Sequence, residues 1–186
     1  MMTGRRRLVA IGVTITAVVA VSTAASASMA GAADRESNNF RITLNGYEET
    51  LLSLSTSGEG SLRVSIDEDN QEITYRLSYA KLEGAATQAH IHIGQRAQGG
   101  GIIVFLCTNQ GNGPAGTPVC PPAPATVTGT LTPDSINVAT STAHGIVAGE
   151  FGEVIAAIRA GATYANVHSQ KYGTGEIRGQ IEQSHH

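Results

Sequence analysis

Three stretches of this chain alternate apolar and polar side chains with a period of two. Phe40, Ile42 and Leu44 alternate with Arg41, Thr43 and Asn45, and Leu62, Val64 and Ile66 with Arg63 and Ser65. Ile73, Tyr75, Leu77 and Tyr79 alternate with Thr74, Arg76 and Ser78. Successive side chains of a strand point to opposite faces, so each stretch makes a strand with one apolar and one wetted face. Such strands fit an antiparallel sheet that covers a core on one side. Asp67-Glu68-Asp69-Asn70 reads as the solvated tip of a hairpin joining the second and third strands. A calcium loop there would need the longer ligand pattern and the glycine of an EF-hand, which this turn lacks.

The same pattern continues downstream. Residues 88–93 form a strand with Ala89, Ile91 and Ile93 on one face and His90 and His92 on the other. The Gly-rich segment 94–101 follows, and 102–106 is a continuous apolar run, read as a buried strand. Residues 107–124 are turn chemistry, rich in Asn, Gly and Pro, and 127–131 is a strand ended by Pro133. Phe151, Val154, Ile155 and Ile158 have the spacing of one amphipathic helix. Glu150 and Glu153 suit its first turn, Arg159 its last, and Gly161 a left-handed cap beyond it. Residues 162–168 and 176–181 supply the remaining strands, joined through Gly173-Thr174-Gly175. The expected fold is all-β with one short helix, an antiparallel Greek-key β-sandwich or barrel. With three Phe, five Tyr and no Trp, its core is expected to be Val, Ile and Leu between two sheets.

The first residues follow other rules. Arg5, Arg6 and Arg7 precede an uncharged apolar run, residues 8–21, and then small residues that include Ala25-Ser26-Ala27 and Ala30-Gly31-Ala32. This is the layout of a secretory signal peptide over 1–32. The run is short for a membrane span of roughly 20 residues, which leaves an uncleaved anchor as the alternative. The run has no Cys at its end, which argues against a lipid anchor. The expected organisation is signal peptide 1–32, a short segment 33–39, one domain over 40–182, and a tail 183–186. Cleavage removes three arginines and no acid, so the charge becomes more negative than the −3 of the full chain. That balance argues against a general nucleic-acid binder, and a secreted or extracytoplasmic location is expected.

Two groups of residues carry candidate chemistry. Cys107 and Cys120 are the only cysteines, and an even count in an exported chain suggests a disulfide. It would close a loop of about 14 residues with little apolar content and stabilise by roughly 3 kcal/mol; a thiolate metal site is the alternative. His90 and His92 share a strand face with Cα atoms about 6.6 Å apart. If the strand carrying Asn166-Val167-His168 lies alongside, three imidazoles meet, a set suited to Cu, Zn, Ni or Fe. The competing reading is three histidines bonded to backbone and to Asn166. His144, in the loop before the helix, is a possible fourth member. The terminal His185-His186 pair reads as a disordered end. Glu176 and Arg178 fall on one strand face and are expected to form a structural ion pair. The sequence shows no Gly-x-Ser-x-Gly elbow, phosphate loop or His-Glu-x-x-His motif, so no catalytic constellation and no enzyme activity is expected.

Several segments together resemble a known module: Ala89-His90-Ile91-His92-Ile93-Gly94, Ile102-Ile103-Val104-Phe105-Leu106, Ala157-Ile158-Arg159-Ala160-Gly161, Tyr164-Ala165-Asn166-Val167-His168-Ser169 and Gly175-Glu176-Ile177-Arg178-Gly179-Gln180. They look like a CHRD (chordin-type) domain of the secreted bacterial type, covering roughly residues 40–181. Members usually carry Pro before Gly-Glu-Ile-Arg, where Gly173-Thr174 stands here, and often Pro after a segment like Asn45-Gly46-Tyr47-Glu48-Glu49. The resemblance implies a β-rich module comparable with the Cu/Zn superoxide dismutase fold. A His-x-His strand also occurs in the dismutases, which makes copper the leading metal, but their site needs more histidines than this domain offers. The resemblance therefore implies a secreted binding module without catalysis, for a protein or cell-envelope ligand. The alternative is an extracytoplasmic copper or other transition-metal protein using His90, His92 and His168.

Overall fold

The structure, a computed structural model, describes residues 38–183. The signal peptide expected over 1–32, most of the 33–39 segment, and His185-His186 lie outside the described residues. The strands are β1 (Asn39–Asn45), β2 (Glu59–Asp67), β3 (Glu72–Ala80), β4 (Ala86–Ile93), β5 (Ile102–Thr108), β6 (Ala125–Leu131), β7 (Thr163–Ser169) and β8 (Ile177–Ile181). The two α-helical segments are α1 (Val138–Ser141) and α2 (Phe151–Arg159). Among the described residues no helix is long and apolar enough to cross a membrane.

The strands form one sheet in the order β5-β4-β7-β8-β1-β2-β3-β6, every pair antiparallel. The chain steps from β3 past β6 and β5 to lay down β4, and from β6 past β5 and β4 to lay down β7, which is Greek-key order. The expected core between two sheets becomes the interior of a single sheet that curls until β5 and β6 nearly meet. Three links hold those edges together. Tyr75 Oη on β3 donates to Leu106 O on β5 at 2.6 Å. Asn137 N, just after β6, donates to Ile103 O at 2.8 Å, and Ile136 forms a bridge with Val104. The disulfide between Cys107 and Cys120 is formed and ties β5 to the loop leading into β6. Gly129, opposite Tyr75 in register, is what lets the tyrosine lie across β6: a Cβ there would stand 2.6 Å from its Oη.

The alternating residues behave as their period requires. Phe40, Ile42, Leu44, Leu62, Val64, Ile66, Ile73 and Leu77 are buried in one apolar cluster, and their polar neighbours face outward. The β2–β3 turn is closed by Asp67, whose carboxylate accepts from Asn70 N and Nδ2. Helix α2 adds Phe151, Val154, Ile155 and Ile158 to the core, and Gly161 beyond it adopts φ 65°, the left-handed cap its sequence foretold. The segment 133–144 holds short helical turns that its weak apolar pattern does not reveal.

Candidate metal centre

Ala89 and Ile91 of β4 face the core. The intervening His90 and His92 therefore project from the outer face of the sheet, yet they are 0% and 8% exposed. The adjacent strand β7 pairs His90 with Asn166 and Gln88 with His168. Phe105 of β5 packs edge-on against His90, with ring centroids 4.5 Å apart. Loops complete the cover: His92 Nδ1 meets Gly100 O at 2.9 Å, and His168 Nδ1 meets Gly173 O at 2.9 Å. The ligand-capable atoms of His90, His92 and His168 all lie within 4.8 Å of one another.

Proton bookkeeping defines the site. A carbonyl oxygen only accepts, so His92 and His168 must each carry their proton on Nδ1. Both Nε2 atoms then present bare lone pairs inward. His168 Nε2 faces His90 Nδ1 at 3.2 Å and Asn166 Oδ1 at 3.1 Å. A neutral His90 supplies a single proton, and the buried Nε2 atoms of His90 and His92 have no hydrogen-bond partner. With Asn166 presenting Oδ1, acceptors outnumber donors at this buried point; with its amide turned over, Nδ2 would donate to His168 Nε2 instead. Burial, then the neighbouring His168 and His92, push His90 down to about 2. Burial likewise takes His92 down to about 4 and lowers His168. All three rings are neutral at pH 7 and available as ligands. Two nitrogens bound at ~2.0 Å to a tetrahedral ion sit about 3.3 Å apart, close to the 3.2 Å between His90 Nδ1 and His168 Nε2.

A pocket of about 420 Å³ opens onto His92 and His168. Its wall is a stack: Arg178 lies 3.3 Å from the centroid of Tyr164, and Tyr164 stacks on His92 at 4.8 Å and 5°. The Arg178 guanidinium is held by Thr50 Oγ1, Gln95 O and Gln98 O. The expected ion pair between Glu176 and Arg178 therefore does not form. Glu176 precedes β8 and turns the other way, accepting from Thr56 Oγ1 and Glu83 N, both at 2.7 Å. His144 also stays apart: its Nε2 accepts from Gly101 N at 3.0 Å, on the Gly-rich loop, and it buttresses that loop from outside the cluster. Sequence reading missed Glu49, which lines the pocket. Burial raises its carboxyl to about 7 against the opposing pull of Arg178 and Asn166.

These groups set opposite pH dependences. A histidine depressed in the folded state forces the unfolded chain to take the extra proton, so stability falls as pH drops below about 6.5. Glu49, raised from 4.5 to about 7, loses stabilisation as pH rises through that window. Three histidines outweigh one carboxyl, so denaturation free energy is expected to fall from pH 7 to pH 5, and more steeply in Glu49→Gln. A flat profile would contradict this account of the cluster.

Gly100 is fixed by close approach. A Cβ there would fall 1.6 Å from Ile93 O, so alanine forces the loop away and takes the carbonyl off His92. Groups that orient a metal-binding histidine typically contribute about 10–100-fold in affinity. If the cluster takes up a metal ion, Gly100→Ala should weaken that uptake by this factor in calorimetry while the barrel still melts cooperatively.

The sequence model of one family, described as CHRD domain, matches residues 40–181. No curated protein matches the chain, and no solved structure does.

Proposed function

The chain belongs to the CHRD domain family, and from that premise we propose an exported binding module that holds a transition-metal ion, copper foremost, on His90, His92 and His168. Three buried imidazoles with ligand atoms within 4.8 Å of one another, two of them with an unpartnered Nε2, carry this reading. An unpaired buried lone pair costs free energy, and a cation converts that cost into bonds. His92 and His168 would bind through Nε2, each oriented by its Nδ1–H on a backbone carbonyl. His90 would bind through Nδ1 after its proton moves to Nε2. Imidazole donors suit copper and zinc, and divalent copper tops the affinity order of its row. The proposal is binding without turnover, in an oxidising compartment where the Cys107–Cys120 bond persists.

Calorimetric titration of the purified chain with Cu(II), Cu(I) and Zn(II) tests the proposal. One ion per chain is expected, and it should be retained when His185 and His186 are both replaced by alanine. Binding no tighter than millimolar, or binding that disappears with the terminal pair, would overturn it. A second reading, docking of a protein or cell-envelope partner, is favoured by Tyr47, Leu51 and Leu52, which are 70%, 74% and 69% exposed, Leu51 on the pocket wall. Leu51→Asp/Leu52→Asp would abolish such docking and leave metal uptake intact.

A further inference from the structure

The outer face of β1, β2 and β3 carries a second feature, unrelated to the histidines. Register places Arg41 opposite Arg63, and Arg63 opposite Arg76. All three are exposed and stand in one row across three neighbouring strands. With strands about 4.8 Å apart, the row spans roughly 10 Å. Like charges directly opposite on a sheet are destabilising. The other described cations have fixed partners: Lys81 on Glu59, Arg96 on Glu48 and Glu182, Arg159 on Glu68, Lys171 on Glu83, and Arg178 in its carbonyl cradle. Among the described residues no carboxylate meets Arg41, Arg63 or Arg76, although the chain has more acids than bases.

The row borders a groove of about 460 Å³, whose other side is formed by Asn39, Ser65 and Thr74. On the opposite flank of the arginines runs a second polar row, Thr43, Ser61, Ser78 and Thr126, in register across four strands. Acids appear only beyond these rows, Glu59 at one end and the Asp67–Glu72 pair at the other. A line of unneutralised guanidinium groups between two lines of hydroxyl and amide groups matches an anionic polymer that also carries many hydroxyls. We infer that this face binds a sulfated polysaccharide laid along the arginine row, across the strands. Nucleic acid fits less well, because these rows offer no aromatic ring for base stacking and the chain as a whole is acidic.

The probes are dextran sulfate, neutral dextran of the same length, and a single-stranded oligonucleotide of matched charge, each titrated against the full chain. Dextran sulfate is expected to bind, neutral dextran not to bind, and the oligonucleotide to bind more weakly than dextran sulfate. Arg41→Gln/Arg63→Gln/Arg76→Gln is expected to weaken dextran sulfate binding at least tenfold. It should also flatten the dependence of log affinity on log salt by about three, by analogy with counterion release from nucleic acids. Relief of like-charge repulsion should raise the melting temperature of this variant, which separates lost binding from lost fold. Arg63→Lys, which keeps the charge, should retain most of the affinity. Equal affinity in the triple variant, equal binding of neutral dextran, or tighter binding of the oligonucleotide would each overturn the inference.

Discussion

His92→Ala is expected to abolish stoichiometric metal uptake and leave the barrel folded. In the proposed site the ring would supply one of three nitrogens, and its Nδ1–H on Gly100 O with its stacking on Tyr164 already holds it in place. Groups that merely orient such a ligand typically contribute about 10–100-fold, so losing the ligand itself should cost on the order of a thousandfold or more. The fold survives because His92 stands on the outer face, apart from the apolar cluster inside the sheet. The Gly100 carbonyl loses its partner, at a cost of about 1–3 kcal/mol if it stays buried. His144→Ala removes the bond that supports Gly101 N on the same loop, so it should weaken uptake far less than His92→Ala, by no more than the roughly 10–100-fold typical of an orienting group. Unaltered uptake by His92→Ala would show that the ion sits elsewhere.

Removing the disulfide has the largest expected effect on stability. Cys107 and Cys120 are 13 residues apart, and the loop they close contributes no side chain to the apolar cluster. The chain-entropy model gives about 3 kcal/mol for such a loop. For a domain of this size that lowers the melting temperature by roughly 6–12 °C. Asn109 limits the damage: it accepts from Cys120 N at 3.0 Å and donates to Cys120 O at 2.8 Å and Ala86 O at 3.0 Å. The ends of the loop therefore stay near β4 and β5 in Cys107→Ala/Cys120→Ala. Because Cys107 lies opposite Ala89, one residue from His90, metal affinity in this variant reports whether β5 still presses Phe105 against the site. A melting temperature unchanged to within about 2 °C, less than 1 kcal/mol of stability, would contradict the assignment of the bridge as a staple.

The legible parts of this protein are those fixed by period and spacing. Alternation gave the strands and their inward faces, His-x-His put two rings on one side of β4, and the Phe151–Ile158 spacing gave α2 with its glycine cap. Closure was not legible, because it depends on contacts between distant edges, such as Tyr75 Oη on Leu106 O. Gly100 and Gly173 lie only 8 and 5 residues from the histidines they bond, but no residue pattern marks the loop shapes that turn their carbonyls back, and Glu49 reaches the pocket only through the packing of distant segments. Glu176 and Arg178 illustrate the limit most plainly. Their spacing is that of one strand face, but Glu176 precedes β8, and the Glu83 amide draws it away. The arginine row needed register as well: Arg41, Arg63 and Arg76 are unremarkable in sequence and become neighbours only through two hairpin pairings.

The most direct test of the metal centre is an anomalous difference map from a crystal of the copper-loaded protein, collected at the copper edge. The account requires one peak about 2.0–2.2 Å from the inward nitrogens of His90, His92 and His168, with Arg178 and Tyr164 still stacked beside it. A peak on the terminal histidines, or no peak in crystals soaked at micromolar copper, would contradict it.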